Sequence, residues 1–183
     1  MATQVAKLNN AIVTGVCSGK NKNFVLECGA STVLDYKEGD IIEKIEVEAT
    51  ENGKFHMILD CVNSADARDS KACYRDRILE IRDRILVDPN LHNYVVLGGT
   101  PFEWIKAAIK RVTPFNFFSK SFELFWIKMT NSTPALNLLK EMVDQNGLKP
   151  KVEQELDWSE DNVALAFEAL RSRRTTGKIV LKM

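Results

Sequence analysis

The sequence predicts an α/β domain built on a doubly wound parallel sheet, and three observations carry that reading. Short β-branched apolar runs alternate with stretches of helical periodicity. The early runs are almost continuously apolar, as expected of parallel strands buried on both faces. The β-α-β-α order also calls for right-handed crossovers, which put helices on both sides of one sheet.

The chain opens on a short helical stretch, Met1–Leu8, followed by the first strand candidate, Ala11–Val16. Asn21–Cys28 reads as a short helix closed by Gly29, a residue suited to the left-handed conformation that ends many helices. Thr32–Asp35 is the second strand. Asp40–Thr50 is a helix opened by a capping aspartate, with Ile41, Ile42, Ile45 and Ala49 at helical spacing. Phe55–Val62 and Tyr94–Leu97 are the next strands.

Between those two strands, residues 64–90 form a long charged helix candidate. It contains a seven-residue near-repeat, Arg75-Asp-Arg-Ile-Leu and then Arg82-Asp-Arg-Ile-Leu. Two copies are too few for a coiled coil, so the expectation is a surface helix with one apolar stripe, ended by Pro89. Phe115–Phe118, Pro150–Leu156 and Lys178–Lys182 are further extended candidates. Thr133–Asn146 reads as a helix with Thr133 as cap, Pro134 in its first position and Gly147 closing it. Its Ala135, Leu136, Leu139, Met142 and Val143 share one face. Ser159–Arg171 is a second helix, capped by Ser159, with Val163, Ala166, Phe167 and Leu170 expected inward. Glu160 and Asp161 at its start and arginine at its end suit the helix dipole.

Length and composition fit one domain with a sizeable core: 183 residues, 45% hydrophobic and 27% charged. The 25 basic and 25 acidic residues cancel, so no net charge draws the chain to nucleic acid or an anionic membrane. Cys17, Cys28, Cys61 and Cys73 lie far apart, and there are only two histidines. That pattern lacks metal-ligand spacing and predicts free, mostly buried thiols in a reducing compartment. No apolar run approaches the roughly 20 residues that span a bilayer. A cytoplasmic protein is expected, with the mitochondrion as the alternative.

The candidate chemistry lies at strand ends. In open parallel sheets ligands bind outside the carboxyl ends of the strands, and the second strand of a dinucleotide-binding fold meets the adenosine ribose there. After Ala11–Val16 the tip reads Cys17-Ser18-Gly19-Lys20 and carries no acid. An acid there favours a free 2′-hydroxyl, whereas Lys20 can pair with a 2′-phosphate and Ser18 can hydrogen-bond its oxygens. A plain polar loop is the equal alternative. Tyr36 ends the next strand, either near the adenine or packed on a neighbouring helix. Asp60-Cys61-Val62-Asn63 and Leu97-Gly98-Gly99-Thr100 point the same way, and the glycine pair permits close backbone approach or simply a turn. His56, inside an apolar run, is expected in the core.

Taken together, AKLNNAIVTGVCSGKN, ECGASTVLDYKEGD, KFHMILDCV, YVVLGG, KPKVEQ and TTGKIVLKM resemble the quinone oxidoreductase, zeta-crystallin-like branch of the zinc-independent medium-chain dehydrogenase/reductases. The resemblance covers nearly the whole chain, as the carboxyl-terminal cofactor-binding part of such proteins. It implies a Rossmann-like domain and NADPH-dependent reduction of a quinone or enone, without catalytic zinc. It assigns Ser18, Lys20 and Tyr36 to the adenosine-phosphate end of the cofactor. Val62, Gly98, Gly99 and Phe118 are likewise assigned to cofactor binding, the last three near the nicotinamide.

The resemblance also implies what the 183 residues lack: the sheet's first strand, its glycine-rich turn and a catalytic domain. Asn63 stands where the family has glycine. The chain is therefore expected to be a truncated dinucleotide-binding domain over 1–183, with elements of the family's split second domain at about 148–183. In the usual strand order the missing strand is central. About five apolar side chains at about 1.5–3 kcal/mol each rival a whole domain's net stability of roughly 5–15 kcal/mol. Either the strands at Ala11–Val16 and Phe55–Val62 pair directly, or another chain caps the slot.

Pro114–Trp126 holds six aromatics in thirteen residues. In the family this region forms a sheet edge between subunits, which implies a homodimer. The alternative is a strand within its own core. Two functions follow: a reductase fragment with weak or lost NADPH binding and impaired catalysis, or a non-catalytic remnant acting as a binding or oligomerisation module. No acid, base or nucleophile is assigned.

Overall fold

The computed structural model describes residues 1–61, 74–88, 93–98, 101–112, 123–125, 132–145, 147–172 and 175–183. Parallel strands alternate with helices, the α/β architecture that the sequence predicts. The chain divides into two compact units, residues 1–35 with 132–183, and residues 36–131.

In the first unit, helix α1 (Ala2–Leu8) leads into β1 (Thr14–Cys17), which pairs in parallel with β2 (Thr32–Asp35). The register sets Thr14 opposite Thr32 and Cys17 opposite Asp35. Helix α2 (Lys22–Glu27) crosses between them and lies so close to β1 that a Cβ on Gly15 would meet Val25 Cγ1 at 2.6 Å. Gly29 closes this connection at φ +99°, where a side chain would be strained, as the sequence predicts. β6 (Val152–Asp157) and β7 (Lys178–Lys182) form a second parallel pair, joined by α7 (Glu160–Arg171). Ser159 caps α7, its Oγ accepting the Asn162 amide at 3.1 Å. Gln4 donates to the Lys149 carbonyl at 3.0 Å, and the Lys151 ammonium sits 4.4 Å above the Phe24 ring.

Burial in this unit departs from expectation. β1 is not covered on both faces: its Val16 is 50% exposed, and Ile12, in the approach to the strand, 88%. A two-stranded pair with one short helix against it leaves the second face bare. α6 (Ser132–Asp144) buries Met142 but exposes Leu136 and Val143, and α7 buries Ala166 but exposes Phe167 and Leu170. The helical period is right, yet a two-stranded sheet offers too little surface to cover the stripe.

The second unit is denser. β3 (Ile58–Asp60), β4 (Tyr94–Val96) and β5 (Glu123–Leu124) form a three-stranded parallel sheet in that order. Tyr94, Val96 and Leu124 are its buried centre, packed by Ile58, Ile78, Leu79, Trp104 and Ala107. Helix α3 (Ile41–Glu51) starts at its Asp40 cap, whose carboxylate accepts the Ile42 amide at 2.9 Å. It buries Ile41, Ile42 and Ala49 as its spacing predicts. α3 packs against α4 (Tyr74–Ile85).

Four expectations are corrected here. The strand expected over Phe55–Val62 is three residues, because Phe55 instead bridges Leu86 and the chain turns before β3. That turn leaves His56 exposed rather than in the core. α4 ends at Ile85, ahead of Pro89, because Leu86 leaves the helix to make that bridge. Nor is α4 a surface helix with one apolar stripe: with Ile81 and Ile85 it buries Arg75 and Arg82. Its arginines meet acids on the neighbouring helices, Arg84 with Glu46 at 2.8 Å and Arg77 with Asp40. Arg75 pairs with Glu103 on α5 (Pro101–Val112) at 2.6 Å.

The pairing of Ala11–Val16 with Phe55–Val62 is not among the described strand pairs. Phe115–Phe118 and most of the aromatic stretch lie outside the described residues. None of the three described cysteines is fully buried: Cys17 and Cys28 are half-buried and free, and Cys61 is exposed and free. Among the described residues no helix is long and apolar enough to cross a membrane.

Candidate functional site

Parallel pairing brings the carboxyl ends of β1 and β2 side by side, and the chain's most distinctive polar grouping sits there. β1 runs out at Cys17, and a single 3₁₀ turn over Gly19–Asn21 follows at once. The Asn21 amide donates to the Ser18 carbonyl at 2.8 Å, which fixes the turn. Ser18 is only 5% exposed, while Gly19 and Lys20 stand open to solvent. The anchor of the tip is thus its serine, and its reach is the lysine.

The sequence reading found no acid at this tip, and along the chain there is none. The acid arrives from the neighbouring strand. Asp35 is the register partner of Cys17, and a Cβ on Gly19 would stand 2.5 Å from Asp35 Oδ2. The carboxylate therefore occupies the space that a side chain at position 19 would need. Burial raises the Cys17 thiol's pKa, and the Asp35 charge pushes it further the same way. Only the strand register could have signalled this neighbour. Tyr36 follows β2 directly and is exposed.

In the second unit the strand ends differ in kind. Leu97 donates its amide to the Asp60 carbonyl at 2.8 Å, and Gly98 follows at φ +89°. The turn itself thus requires glycine at 98, whatever approaches it. Val62, Gly99 and Phe118 lie outside the described residues. Behind the sheet ends lies a polar cluster that sequence reasoning missed. The Tyr94 hydroxyl donates to Asp60 Oδ2 at 3.1 Å, and Arg75 pairs with Glu103. Burial, and then the Asp60 carboxylate, push the Tyr94 phenol well above its ordinary range. An alternating charge pattern gave no hint that Arg75 is a buried group with its own acid.

The comparisons with known proteins bear on these strand ends. A family model for zinc-binding dehydrogenases matches residues 28–181. Protein YIM1-1 of Lachancea thermotolerans is 25% identical over 197 residues, covering 98% of this chain and 50% of that protein. Protein YIM1 of Saccharomyces cerevisiae is 25% identical over 186 residues, covering 96% of this chain and 47% of its own length. The chain spans about half the length of the curated relatives it matches.

Among solved structures, Escherichia coli quinone oxidoreductase complexed with NADPH superposes with TM-score 0.63 at 19% identity, covering 100% of this chain and 52% of that one. A putative alcohol dehydrogenase from Sinorhizobium meliloti gives TM-score 0.65 at 19% identity, over 98% and 43%. At such identities the likeness is one of fold alone. The family's description names zinc. Among the described residues no group of three or more His, Cys, Asp or Glu is placed to hold a metal ion, so these residues do not fit a zinc site. With a family match over most of its length and this parallel α/β fold, the chain belongs to the zinc-binding dehydrogenases.

Proposed function

We propose that this chain is the cofactor-holding part of an NADPH-dependent oxidoreductase that reduces a quinone or enone. The observation that carries the reading is the β1–β2 tip. Its support is that a buried serine, an exposed glycine and an exposed lysine follow one another at the end of β1, beside the end of β2, and that dinucleotide-binding folds meet the adenosine ribose at such a strand end. Lys20 supplies the positive charge for a 2′-phosphate. When bound, the nicotinamide supplies the hydride, and the protein's part is to hold and orient it. The assignments of Tyr36, Val62, Gly98, Gly99 and Phe118 rest on family resemblance. So do independence from zinc, the domain description with split elements at about 148–183, and a homodimer through residues 114–126.

The test is a fluorescence titration of the 183-residue protein with NADPH, followed by an assay of NADPH oxidation with a quinone. Weak, saturable binding that Lys20→Ala diminishes, with no turnover by this chain alone, is the expected result. Absence of saturable binding overturns the reading and favours a non-catalytic module. Light scattering of wild type and Phe117→Lys tests the dimer: an unchanged mass for both removes that strand as the interface.

A further inference from the structure

In the second unit four polar side chains brace one short connection from both ends. β4 ends at Val96 and α5 begins at Pro101, so residues 97–100 alone join them. At the first end the Leu97 amide donates to the Asp60 carbonyl at 2.8 Å. The carboxylate of the same Asp60 accepts from the Tyr94 hydroxyl at 3.1 Å. Tyr94 is the register partner of Ile58, so its ring reaches along the sheet to the last residue of β3. Arg75, in the first turn of α4, stands beside that phenol; burial and then Asp60 raise the phenol's pKa, and the Arg75 charge acts the other way. At the far end of the connection Arg75 pairs at 2.6 Å with Glu103, in the first turn of α5. Arg75 is 5% exposed and Tyr94 1%. Replacing a buried ion pair by apolar groups of similar volume is often neutral or stabilising, so packing alone does not account for an arginine here.

We propose that Arg75 is a positioning residue for the dinucleotide: through Tyr94 and Asp60 on one side and Glu103 on the other, it holds both ends of the β4–α5 connection and presets the Gly98 backbone for the nicotinamide half. That role rests on the reading above that the chain holds NADPH, and it names what keeps one part of the site in shape. The connection lies beyond the carboxyl ends of parallel strands, where open α/β sheets take their ligands. It turns on Gly98 at φ +89°. Glycine has the most backbone freedom to lose on ordering, so a turn that requires it gains most from a brace. A backbone already ordered before binding gives up less entropy when the ligand arrives. Arg75 acts through that backbone and has no part in hydride transfer.

The experiment compares the full 183-residue wild type with Tyr94→Phe and Glu103→Gln, each of which breaks one link and nearly preserves volume. Without ligand, hydrogen exchange at the Leu97 amide is expected to quicken about two- to ten-fold in both variants, the range that one lost hydrogen bond supports. Val95, inside β4, is expected to keep its wild-type rate. NADPH, titrated by nicotinamide fluorescence, is expected to bind both variants about two- to ten-fold more weakly. Arg75→Lys keeps the charge but not the planar fork that serves two partners, and is expected to match them. If one variant does not fold, as judged by circular dichroism, the other two carry the comparison. Exchange that quickens equally at Leu97 and Val95 would show a general structural role and overturn the proposal. An unchanged Leu97 rate overturns it as well, as does wild-type NADPH affinity in variants whose Leu97 amide is loosened; each of these results spares the cofactor reading. Absence of NADPH binding by wild type overturns the cofactor reading and the positioning role with it.

Discussion

The two compact units solve the burial problem differently. In residues 36–131 a three-stranded sheet is covered well enough that Ile85, Leu86, Tyr94 and Val96 are almost wholly out of water. In residues 1–35 with 132–183, two separate two-stranded pairs leave a thin interior of Ala30, Met142, Leu148 and Ala166. Val16 stays half in solvent on β1, whereas Val96 on β4 is fully enclosed. One more strand and helices that close over it make that difference. The denser unit can hold a charged cluster inside, and the thinner one presents its charges at an open tip. Stability is therefore expected to reside in the second unit and recognition at the edge of the first.

The strongest way to break this contrast is at Arg75. Removing one partner of a buried ion pair leaves the other uncompensated, so Arg75→Ala is expected to cost about 3–5 kcal/mol. Urea unfolding measures the total. Hydrogen exchange should show Val95 and Val96 losing protection while Gly15 and Val16 do not. Equal losses in both units would mean they unfold as one, and the contrast would be only geometric.

A matched pair of truncations sharpens it further. Ile85→Ala is expected to cost about 2–5 kcal/mol by opening a cavity in the dense unit. Val16→Ala, half exposed already, should stay within about 0.5 kcal/mol. Comparable values would show that β1 is covered in solution. Gly98→Ala forces a side chain into a positive-φ turn and should lower stability by about 1–3 kcal/mol, read from the thermal midpoint.

The caps give the smaller effects, one in each unit. Ser159→Ala should cost about 1 kcal/mol through loss of the bond to Asn162. Asp40→Asn keeps a capping oxygen but removes the charge beside Arg77. That arginine, and then the Ile42 amide, hold the Asp40 carboxyl below its ordinary value, so its stabilisation is present above about pH 4 and lost as pH falls through the folded value. Wild type and variant should therefore differ most near neutral pH and converge in acid. Melting curves that stay equally separated down to pH 2 would mean that the pair contributes nothing.

Much of this was readable from the chain itself. Local rules located β2 at Thr32–Asp35 to the residue, the cap at Asp40, the cap at Ser159 and the helix-ending Gly29, because each depends on neighbours within a turn or two. The same rules misplaced His56, Phe167 and Leu170, since an apolar period shows which residues share a face and not whether anything covers it. They made α4 a surface helix because its repeat is rich in charge, and nothing local shows that Glu103, 28 residues beyond Arg75, arrives to neutralise it. At the candidate site Ser18 and Lys20 were legible as a strand-end tip. The third group was not.

The sequence by itself thus determined the alternation of strand and helix, the family pattern and the basic residue at the end of β1, all written in short-range spacing. Tertiary structure alone decided that Asp35 lies against Gly19, that Tyr94 donates to Asp60, and that two arginines of α4 are buried. Strand register and helix packing join residues that are far apart along the chain. A carboxylate's effect on a cofactor, or on a neighbouring charge, depends on distance through space, which spacing in the sequence does not report.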